Sequence, residues 1–187
     1  MSKTKKAMST KDLVMYAVLT ALTFVLQYVS MFIRTGTFSI TLSLVPIVIG
    51  AAILGWKGGT WLGFVFGVAV LVSGDAGPFL AFSIPGTIIT VLVKGAMSGL
   101  VAGLIFKALK SKNSSLAVAI SAVFCPVVNT GVFIIGVFVF FLKHFMTDGM
   151  TVSALIFSFI GVNFFIELAV NIILCPAIVR LLKTRNI

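Results

Sequence analysis

The sequence predicts an all-α integral membrane protein, a single bundle of six transmembrane helices with both termini cytoplasmic. Three observations carry that prediction. Of the 187 residues, 60% are apolar and only 10% charged, against roughly 25% charged in an average soluble domain. Too few polar side chains remain to cover a soluble globule of this size. The apolar residues come in runs long enough to cross roughly 30 Å of hydrocarbon at about 1.5 Å per residue. The 14 Lys and Arg, set against four Asp and Glu for a net charge of +10, fall in short clusters between those runs. That placement reads as membrane topology rather than as a nucleic-acid face.

The first helix is Leu13 to Ile33, 21 nearly uninterrupted apolar residues after Lys3, Lys5, Lys6 and Lys11. It is too long for a signal peptide, and Met31-Phe32-Ile33-Arg34 follows instead of a small-residue cleavage site, so a retained span is expected. Ile40 to Val72 could be one long helix or two short ones. Three glycines and a lysine in Gly55-Trp56-Lys57-Gly58-Gly59 favour a break there, leaving two spans of about 12 to 15 residues. Later spans run from about Ala81 to Phe106, Leu116 to Leu142 and Val152 to Val179.

Charge supports the break. With six spans, 11 basic residues lie inside, Arg34 and Lys143 lie outside, and Lys94 lies within a span. Five spans would put Lys107, Lys110 and Lys112 outside, against the positive-inside rule. The expected organisation is one membrane domain over 1–187: a basic cytoplasmic segment 1–11, the bundle 12–182 and a tail 183–187. The external loops are Arg34 to Ser39, Ser73 to Leu80 and Lys143 to Thr151, with Pro78 and Pro85 shaping the second.

Small residues recur every four positions: Ala17 and Ala21 on span one, Gly59, Gly63 and Gly67 on span three, Gly95, Gly99 and Gly103 on span four. Such stripes let another backbone approach closely. Packing within the bundle is the plain expectation for the glycines, whereas the alanines could equally face a partner.

Ionisable groups inside a membrane are expensive, at about 2.5 to 3.5 kcal/mol on insertion scales. Lys94 and Glu167 are the two within these spans. Lys94 is 13 residues from Lys107, Glu167 is 13 from Arg180, Asn129 is 13 beyond Leu116 and Gln27 is 14 beyond Leu13. All four should then sit about 20 Å above the inner boundary. Asn163 and Asn171 flank Glu167 at four residues and share its helical face. Two readings stay open: a Lys94–Glu167 pair that staples the bundle, and a polar pocket for a small ligand entering from outside. Phe79 and Phe82 could cap such a pocket, and His144 and Asp148 are weaker loop candidates.

Several chemistries are disfavoured. Gly50-x4-Gly55 runs into Trp56-Lys57 and is no phosphate loop, so ATP hydrolysis by this chain alone is not expected. A single histidine excludes a paired-histidine metal site, and no nucleophile elbow is present. Cys125 and Cys175, each before a proline in an apolar run, read as core. No enzyme activity and no cofactor in this chain are expected. A self-sufficient proton-coupled carrier using Glu167 remains an alternative.

Over nearly its whole length the chain resembles the substrate-binding S components of energy-coupling factor (ECF) vitamin transporters. The resemblance rests on size, six-span topology, Ala17-x-x-x-Ala21, Val45-Pro46-Ile47-Val48-Ile49-Gly50-Ala51 with the Gly63 to Gly67 run, and two more specific stretches. Those are Asn129-Thr130-Gly131-Val132-Phe133 and Asn163-x-x-x-Glu167-x-x-x-Asn171, similar to the pantothenate-type branch. It implies a multi-pass subunit of a prokaryotic cell membrane that binds a vitamin near Asn129, Asn163 and Glu167 under the Arg34 to Ser39 loop. It also implies docking through Ala17 and Ala21 on a coupling subunit that carries two ATP-using subunits, and toppling to release the cargo. Lys94 or Arg34 would meet a ligand carboxylate, with Gln27 and Asn171 as further polar contacts.

Overall fold

The computed structural model describes residues 9–35, 38–39, 41–147, 151 and 162–184. Eight helices are seen among them: α1 (Thr10–Phe32), α2 (Leu44–Ile53), α3 (Gly55–Ser73), α4 (Gly77–Leu80), α5 (Ile84–Leu109), α6 (Ser114–Phe140), α7 (Leu142–Thr147) and α8 (Val162–Thr184). Between α1 and α2 a two-residue antiparallel pair joins β1 (Arg34–Thr35) to β2 (Phe38–Ser39), with Arg34 opposite Ser39. Four of the described helices, α1, α3, α5 and α6, are long and apolar enough to cross a membrane. The shorter α2 is apolar too, and α8 has 23 residues, as many as α1.

Local chemistry sets the helix starts. Ser9, Ser83 and Asn113 precede α1, α5 and α6, and each side-chain oxygen accepts an otherwise orphaned amide, from Asp12, Gly86 and Leu116. Pro78 and Pro85 lie in the first turns of α4 and α5, where a missing N–H costs nothing. Gly74 closes α3 at φ 82°, in the left-handed region where a side chain would be strained.

Two expectations are corrected here. The break in the Ile40 to Val72 stretch falls at Leu54–Gly55, not across the whole five-residue turn. Gly55 takes φ 74°, and Trp56 to Gly59 already belong to α3. Span three is consequently not short: α3 has 19 residues, about 28 Å of helix, and only α2, with 10, falls below a full crossing. Inside the bundle α2 is apolar all round, and seven of its residues are buried, Leu44, Ile47, Val48 and Ala51 among them.

The glycine stripes face each other, as expected for packing within the bundle. A methyl group added at Gly59 or Gly63 would strike the backbone carbonyl of Gly99 or Gly95, and one at Gly67 would lie 2.9 Å from Val91 O. Gly103 faces the Trp56 Cα in the same way. The antiparallel α3–α5 seam is thus backbone on backbone, a close approach that only glycine permits.

Helix α1 is inverted relative to a soluble amphipathic helix. Its buried positions are Leu19, Thr23, Gln27 and Ser30, while Leu13, Val14, Val18, Val25 and Val29 are exposed. A helix with a polar inner face and an apolar outer one is at home in lipid.

Candidate functional site

The buried polar face of α1 holds the segment that leads into α2. Ser30 Oγ donates to Leu26 O at 2.7 Å and accepts the Leu42 amide at 3.1 Å. Ser43 Oγ lies 3.2 Å from Thr23 O and 3.3 Å from Gln27 Oε1, sharing its proton between them. Gln27 Nε2 donates to Asp75 Oδ2 at 3.3 Å, which ties α1 to the corner after α3. From the opposite side, Glu167 Oε1 of α8 accepts the Thr41 amide at 3.0 Å. The segment Thr41–Ser43 is therefore clamped between α1 and α8.

Lys94 enters the same interior from α5. Its Nζ lies 4.8 Å from the centroid of Phe133 and 5.6 Å from that of Phe66, a cation over two ring faces. It is within Coulombic reach of Glu167 and Asp75, yet among the described residues Lys94 and Glu167 form no direct ion pair. Phe133 in turn packs edge-on against Phe79, centroids 5.2 Å apart at 84°. Phe79 also packs on Phe141 and Phe145. Phe82 instead stacks on His144 at 5.5 Å.

Among the described residues, three buried side-chain oxygens have no hydrogen-bond partner: Thr90 Oγ1, Asn129 Oδ1 and Asn171 Oδ1. Their residues are 3%, 4% and 0% exposed. Buried oxygens normally find partners, and an orphan costs about 1–3 kcal/mol. Thr90 is one turn before Lys94 on α5 and abuts Gly136 of α6. Asn129 is one turn before Phe133 on α6. Asn171 donates its Nδ2 to Glu167 O at 2.9 Å, leaving only its oxygen unsatisfied.

The structure thus brings together Lys94, Glu167, Asn171, Asn129 and, through Asp75, Gln27. Arg34 is in β1 and Asn163 in the first turn of α8, and the side chains of both lie outside the described residues, as does Asp148 altogether. Residues the sequence reading passed over are Asp75, Thr90, Thr41 and Ser43. Asp75 had a signal, being a carboxylate immediately after a helix-ending glycine. The other three are ordinary hydroxyl residues, and only the fold gives them meaning. Among the described residues no group of His, Cys, Asp and Glu could hold a metal ion.

Ala17 and Ala21 lie on the exposed face of α1, away from this interior. Ala17, with Leu13, Tyr16, Thr20 and Trp61, lines an apolar groove of about 560 Å³ between α1 and α3. Trp61 Nε1 donates to Thr20 Oγ1 there at 3.2 Å.

The described residues form a helical membrane protein that holds Lys94, Glu167 and Asp75 within Coulombic reach of one another in its interior. The chain belongs to the family of ECF transporter substrate-specific components, whose family model matches residues 11–179. Comparison with curated proteins and with solved structures gives no match. The family is a transporter component rather than an enzyme family, and its members work with a coupling subunit and ATPase subunits.

Proposed function

We infer that this chain captures a small, donor-rich vitamin, with pantothenate the first candidate, and hands it inward through the coupling subunit. The observation that carries the reading is Lys94, half-buried over two rings, together with three buried side-chain oxygens on α5, α6 and α8 that have no hydrogen-bond partner among the described residues. Pantothenate offers one carboxylate for Lys94, and two hydroxyls and one amide N–H for Thr90, Asn129 and Asn171. Its apolar middle suits Phe66, Phe79 and Phe133. Six spans with cytoplasmic termini fit the clustering of lysines at one end. ATP enters only through partner subunits, and the chain releases its cargo by toppling on the coupling subunit.

A thermal-shift panel on the detergent-purified protein tests the ligand. Pantothenate at 100 times its dissociation constant is expected to add about 2.7 kcal/mol of stability. A shift with a different B vitamin keeps the transporter reading and replaces the substrate. No shift with any, together with pH-driven uptake by the chain reconstituted alone, would replace this reading by a proton-coupled carrier.

The exposed alanines give a second test. Ala17→Leu with Ala21→Leu is expected to abolish ATP-dependent uptake in the reconstituted complex while leaving the pantothenate shift of the isolated chain unchanged. Loss of that shift would mean the pair acts within the bundle.

A further inference from the structure

The apolar groove between α1 and α3 has charged groups at one end. Leu13, Tyr16, Ala17 and Thr20 of α1 and Trp61 of α3 enclose about 560 Å³, the size of a ligand cleft. The two helices run parallel. Trp61, near the start of α3, bonds to Thr20, and Asp75, just past its end, bonds to Gln27. Levels along the groove can therefore be counted from the Trp61–Thr20 bond. One turn towards the helix starts, about 6 Å away, lie Tyr16 on α1 and Lys57 on α3, each four residues back. A second turn brings Asp12, level with the chain that precedes α3 at Gly55.

Lys57 and Asp12 are exposed, and Tyr16 is half-buried. Side chains lean towards a helix N-terminus, so the Tyr16 hydroxyl and the Lys57 ammonium both reach from the groove towards its rim. Asp12 lies within Coulombic reach of the Tyr16 phenol. Lys11 falls on the opposite side of α1 by helical spacing. Trp56, whose ring centroid is 5.6 Å from Lys57 Nζ, and Trp61 are both exposed, as indoles are at the headgroup level of a membrane. The order outward is thus apolar wall, then cation with hydroxyl, then carboxylate.

We propose that this groove holds one phospholipid with a primary-ammonium headgroup, phosphatidylethanolamine. An acyl chain lies along Ala17 and Trp61, the phosphate meets Lys57 and the Tyr16 hydroxyl, and the ammonium donates to Asp12. Charge complementarity selects the headgroup. A glycerol headgroup brings no cation to Asp12, and a choline brings a cation with no N–H to donate. The proposal does not depend on which solute the chain binds. It does share Ala17 with the face proposed to dock, so lipid and coupling subunit exclude each other there.

Native mass spectrometry of the detergent-purified chain tests this, with equal amounts of phosphatidylethanolamine, phosphatidylcholine and phosphatidylglycerol added. The one-lipid adduct with phosphatidylethanolamine should exceed either other by about tenfold, the factor one charged hydrogen bond supplies. Asp12→Asn keeps the helix-starting bond from the residue 12 amide to Ser9 Oγ. It should lower the phosphatidylethanolamine adduct alone, to the level of phosphatidylcholine. Lys57→Gln should lower all three adducts. Ala17→Phe, which fills the groove from its wall, should do the same by an independent route. The thermal midpoint of each variant, read on the same samples, separates lost binding from lost folding. Equal adducts of the three lipids would overturn the proposal. A preference for phosphatidylglycerol would replace the ethanolamine site by a plain anion site. A phosphatidylethanolamine preference that survives both Lys57→Gln and Ala17→Phe would place the lipid elsewhere on the chain.

Discussion

Lys94→Met is expected to weaken pantothenate binding at least tenfold, a loss of about 1.4 kcal/mol or more, while the protein still purifies as a folded species. Methionine keeps an apolar stem of similar length against Phe66 and Phe133 and removes only the ammonium group. On the proposed reading, a ligand carboxylate would then lose the cation it meets. The measurement is the pantothenate-induced thermal shift of the variant, read beside its unliganded midpoint. A staple role would give a different pattern. Removing one partner of a buried pair typically costs about 3–5 kcal/mol, because the remaining charge is stranded. Lys94→Met would then lower the midpoint sharply, and adding Glu167→Gln would restore part of it. With Nζ over two rings and no direct contact to Glu167, the smaller stability loss is expected.

The largest stability effect should come from the α3–α5 seam. Gly63→Leu, and equally Gly99→Leu, is expected to abolish a monodisperse folded species. Overpacking an ordinary core costs about 1–3 kcal/mol because neighbouring side chains can shift. At Gly63 and Gly99 the first atoms met are backbone carbonyls of the facing helix, which cannot give without separating the helices. Gly131→Ala is the control. Nothing lies within 4 Å of a methyl group there, so its midpoint should stay within about 0.5 kcal/mol of the parent. Equal losses at Gly131 and Gly63 would mean the seam is not where stability resides.

Much of this architecture was legible in the sequence because membrane chemistry is written in composition. Long apolar runs, clustered lysines and four-residue glycine spacing each have few interpretations. The Lys94–Glu167 neighbourhood was legible for the same reason, since ionisable groups in hydrocarbon must face inward. The glycine-rich stretch after Leu54 misled, because a glycine run signals both a turn and a helix-packing face. Gly55 serves the first purpose, while Gly58 and Gly59 serve the second. Thr41, Ser43 and Thr90 could not be singled out, because serine and threonine also sit harmlessly in membrane helices by bonding their own backbone, as Thr23 does to Leu19 O. Depth alone singled out Gln27, and its bonds to Ser43 and Asp75 are neighbours that linear spacing does not contain.

A seam of backbone on backbone also limits how the protein can change shape. Interlocked side chains can change rotamer and so absorb a small shear between helices, but a glycine seam has no rotamers to change. Turning or sliding α3 by a fraction of a turn would bring Thr60 or Phe64 onto carbonyls that now meet Gly59 and Gly63. Packed interfaces of this kind jump between discrete arrangements or do not move at all. Any rearrangement that carries a solute across must take α3 and α5 along as one slab and find its freedom elsewhere in the bundle.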